Sequence, residues 1–180
     1  MAQYYYLVAS LPLLSYDSER IPSRDEFLDT CRQHLSARDY RLVASASTAD
    51  LQPIAPTCRT LGLWRRWETA LRNELVRLRA KKKKAEAEAY LLASPGNIEA
   101  QGIAREAFDQ ESPLQAEDVL NRARWGYLDE LEVGHYFDVA KILIYALRLE
   151  ILGRKALFEE RKGSEMFEEI YGRILKWESM

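Results

Sequence analysis

Cysteine and histidine are scarce in this chain, with two of each in 180 residues. Cys31 and Cys58 are too few for a disulfide framework and read as buried thiols. Cys31 and His34 supply only half of a four-ligand metal set, and Cys58 and His135 stand alone. His34 and His135 are also the only imidazole bases, so a Ser or Cys nucleophile finds no ready partner; His135, at the start of a long helix, reads as a capping or packing residue. The eight glycines are scattered, and no glycine-rich turn follows a strand, which removes the phosphate-binding loops. Adjacent acids such as Asp129, Glu130 and Glu132 read as ordinary helix charges. No window of about 20 residues in the most apolar stretch is free of charge, so no membrane span is expected. The opening Met1-Ala2-Gln3-Tyr4 lacks the basic region of a signal peptide, which places the protein in the cytoplasm. The chain reads as a non-enzyme with no cofactor.

What is present is apolar and helical. Hydrophobic residues make up 47% and charged residues 30%, the balance of a globular, helix-rich protein. The reading is an all-α, multi-helix bundle forming one domain over residues 1–180, with residues 60–108 as a protruding or folded-back helical hairpin. Residues 134–161 are apolar on more than one stripe, the pattern of a central helix covered by others. Its polar residues Asp138, Lys141, Arg148, Lys155 and Lys162 step by three or seven and so form a ladder, expected to face solvent. Ser23 and Glu26 have the spacing of a capping box ahead of a helix over about 24–35. Ser36 and Asp39 form a weaker one. Trp64, Trp67, Leu71, Leu75 and Leu78 step by three and four in a long helix over about 60–92. Ser94-Pro95-Gly96-Asn97 reads as a turn, followed by a helix over about 98–108 expected to return antiparallel. Ser112-Pro113 opens the next helix, to about Glu132. Gly163-Ser164 reads as a boundary before a final helix. The Tyr-rich residues 4–12 are expected to be buried, as strand or helix, and the other aromatic residues to be core rather than a ligand cleft.

The formal net charge of −2 conceals segregation. Residues 65–84 hold nine cations (Arg65, Arg66, Arg72, Arg77, Arg79, Lys81, Lys82, Lys83 and Lys84) against Glu68 and Glu74, while residues 99–132 carry nine acids against three arginines. The bland reading pairs the basic face with the acidic return helix. The functional reading makes the nine cations a partner-binding surface. A polyanion-binding role, for nucleic acid or anionic membrane, would use the same residues, but no aromatic ring is interleaved with the lysines and the whole chain is acidic.

Tyr4-Tyr5-Tyr6-Leu7-Val8-Ala9-Ser10-Leu11-Pro12 with Phe27-Leu28 and Cys31, then Tyr127-Leu128-Asp129-Glu130, Phe137-Asp138 and Ile144-Tyr145-Ala146-Leu147-Arg148-Leu149, resembles an uncharacterised bacterial family encoded in V-type ATPase (ATP synthase) operons of spirochaetes, chlamydiae and Bacteroidetes. More distantly the chain is similar to the all-helical C-type component of rotary ATPases (the d-type component of the eukaryotic enzyme), which sits on the membrane ring and receives the central stalk. The resemblance implies a non-catalytic ATPase component, a stalk adaptor or assembly factor. It implies partners among the stalk or ring subunits, and a place at the inner membrane reached only through the ATPase. It carries no catalytic or ligand residues.

Overall fold

The structure, a computed structural model, describes residues 4–18, 20–49 and 58–178, and from residue 159 onward the backbone alone. Among these residues it is all-helical, with no strand. The helices are α1 (Tyr5–Ser10), α2 (Arg24–His34), α3 (Ala37–Ala44), α4 (Arg59–Lys83), α5 (Ile98–Phe108), α6 (Pro113–Glu132) and α7 (Val139–Glu178), with one 3-10 turn at Glu88–Tyr90. Among the described residues no helix is long and apolar enough to cross a membrane.

Most starts are fixed by side chains that satisfy free backbone N–H groups. The Ser23 hydroxyl accepts from the Glu26 N–H at 3.1 Å, and Glu26 accepts from the Ser23 N–H at 3.1 Å. Ser36 caps α3 and Asn97 caps α5 in the same way. At α6, Ser112 and Gln115 make a full capping box beside Pro113 at the first helical position. The break before α7 is Gly134, whose φ of +84° belongs to the left-handed region that suits glycine.

As its apolar pattern implies, α7 is the core. Ile142 to Leu149, Ile151 and Leu152 are all buried, between α2 and α3 on one side and α4 and α6 on the other. It does not stop at Gly163-Ser164. The helix is continuous for 40 residues, about 60 Å. One internal glycine costs roughly 1 kcal/mol relative to alanine, less than ending and restarting a helix in the middle of good helix formers.

The polar ladder along α7 does not face solvent. Arg148 is 8% exposed and donates to Glu132 at 2.8 Å and to Asp129, both on α6, and Lys141 also binds Glu132. Asp138 accepts from the Lys141 N–H at 3.1 Å and lies 2.6 Å from His135 Nδ1, capping the helix. Lys155 donates to the Tyr16 carbonyl at 3.2 Å. Lys162 lies beyond the described side chains. The acids expected to neutralise the basic segment are therefore partly spent on α7. Burial works to raise the pKa of Glu132, but the hydrogen bonds from Arg148 and Lys141 outweigh it and hold the carboxyl below its ordinary value. A depressed carboxylate contributes stability above its unfolded-state pKa and loses it as pH falls through the folded value. Acidification from neutral to about pH 3 should therefore destabilise the protein. Urea midpoints should show Glu132→Gln with a shallower acid dependence than the parent.

The N-terminal Tyr-rich segment is helical, but only Leu7 of α1 is buried. Tyr6 is 89% exposed and Tyr5 half-exposed, against the expectation of a buried segment. Leu7 anchors one side, while the Tyr4 N–H donates to the Phe137 carbonyl at 2.6 Å and its hydroxyl to Asp39 at 2.5 Å. Six residues are too few to bury more than one face.

Candidate functional site

The nine sequence-selected cations all lie on α4 or at its C-cap, and the structure separates them into two groups. Through Leu75 the helix belongs to the core: Trp64, Trp67, Leu71 and Leu75 are buried at the expected spacing, and the Trp67 ring stacks on Tyr127 of α6 at 4.6 Å. Arg65 is 7% exposed and is no surface cation. Arg66 is exposed, and its carbonyl accepts from the Ser94 hydroxyl at 3.3 Å. Arg72 is turned inward, donating to Glu68 at 2.9 Å and to the carbonyls of Thr48 and, at 3.3 Å, Ala49. Burial of Arg65 and the inward contacts of Arg72 remove both from any docking surface.

Beyond Leu75 only Leu78 of the helix still packs against the core. Arg77 pairs with Glu74 on its own helix. Arg79, Lys81, Lys83 and Lys84 are exposed and enter no ion pair among the described residues. Lys82 sits 5.3 Å over the Phe108 ring. The last turns of the helix thus present an ammonium cluster on a rigid support. The negative end of the helix dipole favours cations there by a few tenths of a kcal/mol each.

The helix ends at Lys83 rather than near Leu92. After Leu78 no apolar side chain of α4 reaches the core, and four successive ammonium groups repel one another. Lys84 takes φ +52°, its N–H bonding the carbonyls of Ala80 and Lys81 and the Ala85 N–H bonding Ala80 at 3.0 Å. This is the left-handed close of a helix, at a position where glycine is usual. The chain then descends along α4 without regular structure beyond the one 3-10 turn. The buried Asn73 side chain clasps Leu92 from both sides, donating to its carbonyl at 2.7 Å and accepting from its N–H at 3.0 Å. Ser94 meets Arg66 lower down, and α5 climbs again until Phe108 reaches Lys82. So α5 runs parallel to α4, not antiparallel, because residues 84–97 make the return journey. An open groove of about 510 Å³ lies where that return begins, lined by Arg77, Ala80, Lys81, Lys84 and residues Ala85 to Glu88.

The polar centre that holds α4 in place is not legible from residue spacing. Glu68, fully buried, accepts from Arg124 Nε and Nη2, each at 3.0 Å, and from Arg72. Arg124 also donates to Asn121 at 3.0 Å and Glu117 at 3.2 Å. Burial disfavours charge on Arg124, but the carboxylates of Glu68 and Glu117 more than offset it and its pKa is raised. On the far side, Glu150 of α7 accepts from Ser47 at 3.0 Å and from the Thr48 hydroxyl and N–H at 2.8 and 2.9 Å. The one available signal was position: Glu68 lies between Trp64, Trp67 and Leu71 in the helical register.

The residues considered for chemistry do not assemble into a catalytic set. Cys31 is buried, which pushes its thiol up to about 12. His34 is exposed. His135 is hydrogen-bonded to the helix-capping Asp138 and borders, with Cys58, a cleft of about 810 Å³. Among the described residues no three His, Cys, Asp or Glu side chains are placed to hold a metal. The opposite end of the bundle from the lysines carries exposed Tyr6, Tyr136 and Val133, with the Tyr5 and Phe137 rings 4.6 Å apart.

Residues 105–178, which contain α6 and the whole of α7, match the family described as "Protein of unknown function (DUF2764)". The basic helix lies outside the matched stretch. No curated protein and no solved structure matches the chain.

Proposed function

We propose that the protein is a non-catalytic, cytoplasmic component of a V-type ATPase, a stalk adaptor or assembly factor that meets the stalk or the membrane ring through the exposed end of α4. The observation that carries this reading is the cluster Arg79, Lys81, Lys83 and Lys84, exposed and without an ion pair among the described residues. Internal neutralisation by the acidic return helix, the bland alternative, is not what these side chains do. Uncompensated charge on a rigid support speeds and orients association with an oppositely charged surface.

The placement of the resembling segments adds support. Tyr4 and Tyr5 touch Phe137, and Phe27 lies against Tyr145 at 5.2 Å, so N-terminal and C-terminal segments far apart in sequence form one packed unit. The basic surface is reduced from nine cations to Arg66, Arg77, Arg79 and Lys81 to Lys84, with Arg66 about 20 Å down the helix from the rest.

Reversing all four lysines, Lys81→Glu through Lys84→Glu, should abolish co-purification with the ATPase while far-UV circular dichroism stays unchanged, since all four are exposed. Undiminished co-purification would overturn the proposal. Retained ATPase association with binding to heparin that falls steeply in salt would instead favour the polyanion reading.

A further inference from the structure

We propose that residues 159–178, the end of α7, are the surface through which two copies of this chain associate, their helices side by side and pointing the same way. The neighbours of α7 stop well before it does. Antiparallel α6 accompanies it only as far as Phe158: Asp129 binds Arg148, Asn121 accepts from Arg154 at 3.3 Å, and Leu114, the second residue of α6, shares a cavity with Phe158. On the other side α2 is antiparallel too, with Phe27 against Tyr145 and its first residue, Arg24, 3.8 Å from Glu150. Arg79 of α4 shares a groove with Pro113, and α4 ends at Lys83, only about 6 Å further on. Residues 159–178 carry α7 roughly 30 Å past Phe158. Helices in water draw most of their stability from packing an apolar face, and among the described helices none runs beside this one.

The sequence places such a face there. At about 100° per residue, the positions of Met166, Phe167, Ile170, Ile174 and Trp177 fall within one arc of about 100°, the width of the stripe with which a helix meets a partner. The stripe begins past Gly163. Its two borders differ in sign, with Lys162 and Arg173 at positions along one and Glu160 and Glu178 along the other. Two identical helices lying parallel about a two-fold axis bring opposite borders together, so each basic border faces an acidic one. An antiparallel pair would set basic against basic and acidic against acidic. A partner helix of one charge sign would be repelled along one border, whereas a second copy supplies both signs in the matching order.

Sedimentation equilibrium of the full-length protein over about 1–100 µM, the range that reads micromolar dissociation constants, tests this. The wild-type chain should reach twice its monomer mass of 20.9 kDa, and Ile170→Asp with Ile174→Asp should stay monomeric. Lys162→Glu with Arg173→Glu should weaken self-association about tenfold, and so should Glu160→Lys with Glu178→Lys; equal amounts of these two variants, mixed, should pair again. A wild-type monomer throughout the range overturns the proposal, and so does a dimer that survives the two aspartates, since it must use another surface. Border reversals without effect overturn the parallel arrangement. Should the aspartates lower helical circular dichroism, the border reversals and their mixture, at positions outside the stripe, decide alone.

Discussion

Replacing Glu68 with alanine should cost the fold about 3–5 kcal/mol, the range for removing one partner of a buried ion pair. The carboxylate is fully buried and takes both nitrogens of the Arg124 fork together with Arg72. Without it Arg124 keeps its charge, 5% exposed, with only Asn121 and Glu117 to solvate it. A domain of this size has a total stability of about 5–15 kcal/mol, so the variant should unfold at a much lower denaturant concentration. Replacing Glu68 and Arg124 together by methionine should recover most of the loss, because no buried charge is then left alone. Urea unfolding of the single and double variants makes the comparison. A single-variant loss below about 1 kcal/mol would show that water reaches the pair and screens it.

The second large effect is expected from Trp64→Ala, about 3–5 kcal/mol and a melting temperature lower by roughly 10 °C. Trp64 is the largest fully buried side chain among the described residues, with its ring 5.9 Å from Trp67 and 6.4 Å from Tyr127. Its deletion leaves a void where α4 crosses α6. Trp64→Phe should cost well under half as much. The indole N–H is buried with no hydrogen-bond partner among the described residues, so phenylalanine removes an unsatisfied donor while keeping a ring in the stack. Calorimetry of the two variants separates the contributions; equal losses would mean that the indole nitrogen does have a partner.

Where sequence and structure agree, the determinant is local. Ser23 with Glu26, Asn97, and Ser112 with Pro113 each act within one helical turn, and the helices begin where those residues place them. The same holds for burial of the apolar stretch of α7, because an all-round apolar helix has only one favourable environment. The disagreements are relational. Whether Arg148 meets water or Glu132 depends on α6, 16 residues away in sequence, and nothing in the 3.6-residue period of α7 records it. The direction of α5 depends on Asn73 seizing Leu92 across 19 residues. Gly163 reads as a boundary on its own propensity alone, whereas its neighbours on both sides favour a helix and carry it through. At the candidate surface the cluster of lysines is legible in the sequence. Arg65 and Arg72 mislead there, because charge by itself suggests exposure. Glu86 and Glu88 come to line the groove only once Lys84 closes the turn.

The order of the helices has a consequence beyond packing. Along α4, Leu63 meets Tyr127 and Glu68 meets Arg124, and along α7, Arg148 meets Asp129 and Arg154 meets Glu117, so α6 is antiparallel to both α4 and α7, and those two run the same way. The ammonium groups of the α4 terminus therefore lie toward the C-terminal end of α7, and the exposed rings of Tyr6 and Tyr136 toward its start. The molecule is a vector: its head and tail differ in chemistry, and a half-turn exchange of one for the other would set lysine where tyrosine was accommodated. Any neighbour would therefore meet ammonium groups toward one end and phenolic rings toward the other.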